Sequence, residues 1–242
     1  ARFLEGSYTG AAGSRQYKLY VPASLLAGEA RPLLVMLHGC TQDADDFAAG
    51  TRMNALAEEA RCFVLYPVQA QGANLSKCWN WFRAEDQQRD QGEPALLAGL
   101  TRQILATHPV DARRVYVAGL SAGGAMAAIL GATHPDLYAA VGVHSGLAPG
   151  VAHDLPSAFT AMQGNGTPGS DAGRRRVPTI IFHGDRDGTV HPRNSDQVMA
   201  HGIGRAANDD GDPSAAADTT RSGRVADGHA WTCTVQHDGD GR

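Results

Sequence analysis

Five short apolar runs rich in β-branched residues, at positions 33–37, 63–66, 115–118, 139–143 and 179–182, most constrain what this chain can fold into. A strand exposed on one side alternates in polarity, whereas a run apolar throughout suits a strand covered on both faces, as in a parallel sheet. Between the runs lie segments of helical period, such as Met53, Leu56, Ala57 and Ala60, or Leu97, Leu100 and Ile104. Strand followed by helix, repeated, predicts an α/β fold: a mostly parallel sheet with helices on both faces. At 242 residues the chain suits a single domain, since one core can grow to about 250 residues. Tyr17, Leu19 and Val21 alternate before Pro22 and predict an antiparallel strand at the sheet edge. Residues 164–176 and 204–223 carry little core signal and are expected to be loops.

Several function classes lose support from composition. A formal charge of -4 gives no electrostatic reason for nucleic acid or an anionic membrane as partner, and the basic run Arg174, Arg175 and Arg176 reads as a solvated loop. No run approaches the roughly 18 apolar residues of a spanning helix. The start, Ala1-Arg2-Phe3-Leu4-Glu5, lacks a signal-peptide pattern, so a soluble, already processed chain is expected. Cys40, Cys62, Cys78 and Cys233 lack the close pairing of a zinc ribbon or a redox Cys-x-x-Cys, which leaves a disulfide, and with it an oxidising compartment, as the better reading. Neither a metal nor an organic cofactor is called for.

The chemistry lies at the ends of the strands. After the run 115–118 comes Gly119-Leu120-Ser121-Ala122-Gly123-Gly124, followed by an apolar helical segment. Strand, Gly-x-Ser-x-Gly and helix in that order form the nucleophile bend of the α/β-hydrolase fold, in which glycines permit a turn too tight for side chains. Ser121 is therefore the expected nucleophile. The amide of Ala122, at the helix N-terminus, is expected to face the developing oxyanion. The run 33–37 leads into His38-Gly39-Cys40-Thr41-Gln42, where this fold places its second oxyanion donor, assigned to the amide of Cys40.

The run 179–182 leads into His183-Gly184-Asp185-Arg186-Asp187-Gly188-Thr189-Val190. A carboxylate here fits the chain order Ser, Asp, His, and Asp187 is preferred to Asp185, whose expected role is to shape the turn. The base should follow the acid. Of His191, His201, His229 and His237, the first two fall at or within the next helical segment, which leaves Gly228-His229-Ala230-Trp231 or a residue outside this chain.

These residues resemble the esterase family that includes poly(3-hydroxybutyrate) depolymerases. The resemblance rests on Leu37 to Gln42, on Cys78-Trp79-Asn80-Trp81-Phe82, on Arg114 to Met126 around the serine, and on His183 to Val190. It implies an extracellular or periplasmic carboxylic-ester hydrolase with the triad Ser121, Asp187 and His229. Its substrate would be a hydroxyalkanoate polyester or oligomer, or alternatively a feruloyl or acetyl ester of a carbohydrate. It also implies a Cys40–Cys78 disulfide and a substrate groove lined by Trp79 or Trp81. The tail departs from the family pattern. Residues 231–237 alternate like a strand and 238–241 read as a hairpin turn, an arm that in the family precedes the last strand and its histidine. The expectation is that a C-terminal strand and helix are missing, and that a chain without its base would be a silent fragment or binding protein. Oligomeric state is not legible.

Overall fold

The computed structural model describes residues 1–25, 28–169, 175–204 and 219–237. Its strands, in chain order, are β1 (Arg2–Gly10), β2 (Gly13–Val21), β3 (Arg31–Leu37), β4 (Phe63–Pro67), β5 (Val110–Leu120), β6 (Ala140–His144), β7 (Thr179–Phe182), β8 (Thr219–Arg224) and β9 (Ala230–Val235). The helices are α1 (Ala44–Thr51), α2 (Met53–Ala60), α3 (Gly92–Thr107), α4 (Ala122–Thr133), α5 (Leu155–Met162) and α6 (Arg193–Ile203).

Seven strands form one sheet in the order β1-β2-β4-β3-β5-β6-β7, parallel from β4 to β7 and antiparallel at β1 and β2. This is the expected α/β-hydrolase arrangement. Strand period divides the core. Leu33, Val35 and Leu37 point to one face, where they are buried with Leu97, Leu100 and Ile104 of α3 and Met126, Ile129 and Leu130 of α4. Met36 points to the other face and packs with Phe47 and Ala48 of α1 and Ala57 of α2. Beyond the described helices of that second face, Ile180 and Phe182 of β7 stand 58% and 55% exposed.

Chain order reverses direction at β3, since β4 lies on one side of it and β5 on the other. Open α/β sheets bind ligands outside the carboxyl ends of strands at such a switch point. The register places Leu37 beside Gly119, Leu120 beside His144, and His144 beside Phe182. Four loops therefore emerge side by side.

Two expectations need correction. The strand carrying Tyr17 is antiparallel, but β1 takes the edge outside it; β1 is half exposed, and Gly6 and Gly10 interrupt its apolar pattern. The expected loop 204–223 holds strand β8 in its last residues, while 205–218 lie outside the described residues. The C-terminal hairpin turns at 225–229, where the Gly228 and Val225 amides donate to the carbonyls of Val225 and His229, at 2.9 and 3.1 Å. Asp227 adopts φ 55° there. The turn expected at 238–241 lies outside the described residues.

Candidate active site

Ser121 ends β5 and caps α4 with φ 56° and ψ -119°, a conformation that L-residues avoid and that costs on the order of 1–3 kcal/mol. Its amide donates to the His144 carbonyl at 2.9 Å, and its carbonyl accepts from Ala125 at 3.0 Å. The glycines around it are sterically required. A β-carbon on Gly119 would lie 2.2 Å from the Gly123 carbonyl oxygen, and one on Gly123 would lie 2.1 Å from that of Leu37. The bend is thus pressed against the end of β3, and Ser121 is left half-exposed above the sheet.

The loop after β3 is fastened from several sides. Gly39 lies against the Leu120 carbonyl and donates its amide to Gln42 Oε1 at 2.9 Å. Thr41, at φ 66°, donates its amide to the Ser76 carbonyl at 2.7 Å. Cys40 is disulfide-bonded to Cys78 across 38 positions. Among the described residues, neither the Cys40 amide nor the Ala122 amide donates to a protein acceptor. Amides without a protein acceptor at the ends of adjacent strands are the kind of donor that can receive an anionic oxygen, and the amide at the start of a 12-residue helix adds the dipole's favourable end.

His38 is buried and neutral. Its Nδ1 contacts the Gly39 carbonyl at 2.7 Å and its Nε2 accepts the Gln69 amide at 3.1 Å, which fixes the tautomer with the proton on Nδ1. Burial holds its pKa below the ordinary histidine value.

Asp187 follows β7. Its Oδ1 accepts the amides of Thr189 and Val190 at 2.9 and 3.0 Å, and its Oδ2 lies 3.5 Å from His183 Nε2. Burial pushes this carboxyl up, but the Val190 and Thr189 amides and the Ser145 hydroxyl outweigh it and hold the pKa below the ordinary value. Asp185, by contrast, has a side chain 96% exposed. Ser145, not anticipated from sequence, ends β6 at φ 47°, is buried, and donates its amide to the Phe182 carbonyl at 2.9 Å. The only local signal for it was a Ser-Gly pair after an apolar run. His183 is held by the Val190 carbonyl at 2.8 Å.

The structure thus gathers Cys40, Ser121, Ala122, Ser145 and Asp187 at the carboxyl ends of adjacent strands. His229 is not on that sheet. It sits, exposed, at the bend of the β8–β9 ribbon, whose strands pair with each other. The tryptophans also differ from expectation. Trp79 is fully buried and donates its indole N–H to the His38 carbonyl at 3.1 Å, so it braces the loop after β3 from within and presents no surface to solvent. Trp81 is 6% exposed and packs edge-on against Phe82. Both lie in the irregular segment between β4 and α3, and both are enclosed. No group of His, Cys, Asp or Glu suited to a metal ion occurs among the described residues.

Comparison with known proteins places the chain in a family. The family model described as Esterase PHB depolymerase matches residues 15–223. Poly(3-hydroxyalkanoate) depolymerase C of Paucimonas lemoignei is 35% identical over 208 residues, covering 79% of this chain and 50% of that protein. Feruloyl esterase B of Thermothelomyces thermophilus is 29% identical, covering 76% of this chain and 68% of that one. The chain spans about half the length of the Paucimonas protein and 33% of the Ralstonia pickettii poly(3-hydroxybutyrate) depolymerase, to which it is 32% identical. An acetyl xylan esterase from Aspergillus awamori shares the fold with a TM-score of 0.76 at 20% identity, over 99% of this chain and 97% of that one. With a family model spanning most of its length, the chain belongs to the PHB depolymerase esterase family.

Proposed function

We propose that this protein is a serine carboxylic-ester hydrolase that cleaves hydroxyalkanoate polyesters or their oligomers through an acyl-enzyme. The observation that carries the reading is Ser121, held at positive φ beside the uncommitted amides of Cys40 and Ala122. In the proposed reaction an imidazole takes the Ser121 proton as its oxygen attacks the ester carbonyl, and the tetrahedral oxyanion settles against the two amides. Asp187 orients that imidazole and stabilises its charged form. The alcohol leaves with the proton, and water then hydrolyses the acyl-enzyme by the same route. No metal or organic cofactor takes part.

His229 is the proposed base, carried by Gly228-His229-Ala230-Trp231. In that role the β8–β9 ribbon must fold its bend over the carboxyl ends of the sheet. The disulfide supports an extracellular or periplasmic setting.

A second reading, a feruloyl or acetyl carbohydrate esterase, is favoured by the similarity to feruloyl esterase B and to the acetylxylan esterase A proteins. Three measurements test the set. A fluorophosphonate probe should label Ser121 and not the Ser121→Ala protein, and hydroxybutyrate trimer should be cleaved faster than methyl ferulate or acetylated xylan. Absence of labelling in folded protein would leave a silent binding protein; the reverse substrate order would favour the carbohydrate esterase. Unchanged turnover in His229→Ala would assign the base elsewhere.

A further inference from the structure

Glu93 is a carboxylate buried where no apolar core would place one. It lies in the first turn of α3, 3% exposed, and three of the four hydrogen bonds its carboxylate accepts come from the segment bridged to the loop after β3. Its Oε1 accepts from Arg15 at 3.2 Å, from the Asn80 side-chain amide at 3.0 Å and from Gln69 Nε2; its Oε2 accepts the Asn80 backbone amide at 2.8 Å. Four N–H donors reach the carboxylate and favour its ionised form, while burial and the neighbouring Asp86 charge push its pKa up. Its own amide donates to Asp86 Oδ1 at 2.7 Å.

The partners of Glu93 are the braces of the oxyanion loop. Gln69 Nε2 also donates to the Cys78 carbonyl at 3.0 Å, and the Gln69 amide donates to His38 Nε2. Asn80 Oδ1 accepts from Asn74 Nδ2 at 3.0 Å, while Asn74 Oδ1 holds the amides of Ser76 and Cys78. Ser76 in turn accepts the Thr41 amide, Cys78 carries the disulfide to Cys40, and Trp79 holds the His38 carbonyl. The ties on residues 38–41 from the 69–80 segment trace back, within three hydrogen-bonded or covalent links, to one carboxylate.

We propose that Glu93 is a positioning residue for the oxyanion hole, setting the direction of the Cys40 amide through Gln69, Asn80 and the Cys40–Cys78 bridge. The inference rests on the reading of Cys40 as an oxyanion donor. An oxyanion donor acts on the transition state and little on bound substrate, so its loss of aim lowers kcat and leaves KM nearly unchanged. Glu93→Gln keeps the volume but turns an N–H toward at least one of the four donors, which frees one strand of the network. A complete loss of one such donor costs roughly 100- to 1000-fold in kcat, so a misaimed one should cost about ten- to a hundredfold.

The test compares the wild type, Glu93→Gln, Gln69→Met and a remote control, Tyr138→Phe, which removes only the buried contact to Thr101. Short-chain ester kinetics, thermal midpoints and amide hydrogen exchange of 38–42 are measured on each. Glu93→Gln and Gln69→Met should lower kcat about ten- to a hundredfold with KM within about twofold, and speed exchange at 38–42 about tenfold. Tyr138→Phe should lower the midpoint and move neither quantity. Unchanged exchange at 38–42 in both network variants, or a kcat that tracks the midpoint equally in all three variants, overturns the proposal. Failure of the hydrolase reading shows separately, as hydrolysis that survives Ser121→Ala, and the exchange arm still decides whether Glu93 sets the loop.

Discussion

Gly123→Ala is the sharpest perturbation of the site, because the added methyl meets backbone on every side. Its carbon would lie 2.1 Å from the Leu37 carbonyl oxygen and 2.6 Å from that of His38, against an ordinary contact of 3.4 Å. Neither neighbour is a side chain that can turn away. Leu37 is locked into the sheet beside Gly119, so about 1.3 Å of relief must come from the bend or from the end of β3. Overpacking of this kind costs about 1–3 kcal/mol, and the upper end applies where only backbone can yield. For a chain of this size that lowers the thermal midpoint by roughly 5–10 °C. A displacement near 1 Å between the Ser121 oxygen and the Cys40 amide should cost about a hundredfold in kcat, or about 2.7 kcal/mol. Gly184→Ala is the matched control: a β-carbon there meets nothing within 4 Å. Urea unfolding and hydrolysis of a soluble short-chain ester would be followed for both. A Gly123→Ala protein with the stability and kcat of Gly184→Ala would refute the claim that steric contact with β3 dictates the glycine.

Reduction of the Cys40–Cys78 bridge, which closes a separation of 38 residues, should cost up to about 4 kcal/mol and move the urea midpoint accordingly; Cys40→Ser/Cys78→Ser should reproduce the loss. Asp187→Asn should lower kcat about 10⁴-fold if Asp187 orients the base, whereas Asp185→Asn, at a solvated side chain, should leave it unchanged. Stability should fall on acidification. Burial lowers the pKa of His134 to about 4, with the charges of Arg89 and Arg102 adding to it, and burial also lowers that of His38. The unfolded chain therefore binds protons that the folded one refuses. Stability is complete above about pH 6.5 and is lost as pH falls from there toward about 4, by up to about 3 kcal/mol from His134. A midpoint flat between pH 7 and pH 4.5 would contradict this.

The parts of the fold that sequence made legible are those under short-range rules. Strands β3 to β6 are covered on both faces over most of their length and β7 on one, yet all five read as apolar runs, and the bend at Ser121 needs glycines within two positions of itself. Strand β1 shows only alternation broken by Gly6 and Gly10, and β8, Thr219–Arg224, has no apolar residue at all, which is why neither was anticipated. The amides of Cys40 and Ala122 could be assigned because each follows a strand end. Glu93 could not, since its partners lie 13 to 78 positions away and a Glu before a Pro reads as an ordinary helix start. The burial of Trp79 was hidden for a related reason: it is held by the His38 carbonyl, 41 positions away.

The pairing of Leu37 with Gly119 has a thermal consequence. The Cys40 and Ala122 amides sit just beyond two hydrogen-bonded neighbours in the centre of the sheet, so the gap between them is governed by the most protected part of the molecule. Heating should therefore leave the spacing of these two amides unchanged until cooperative melting.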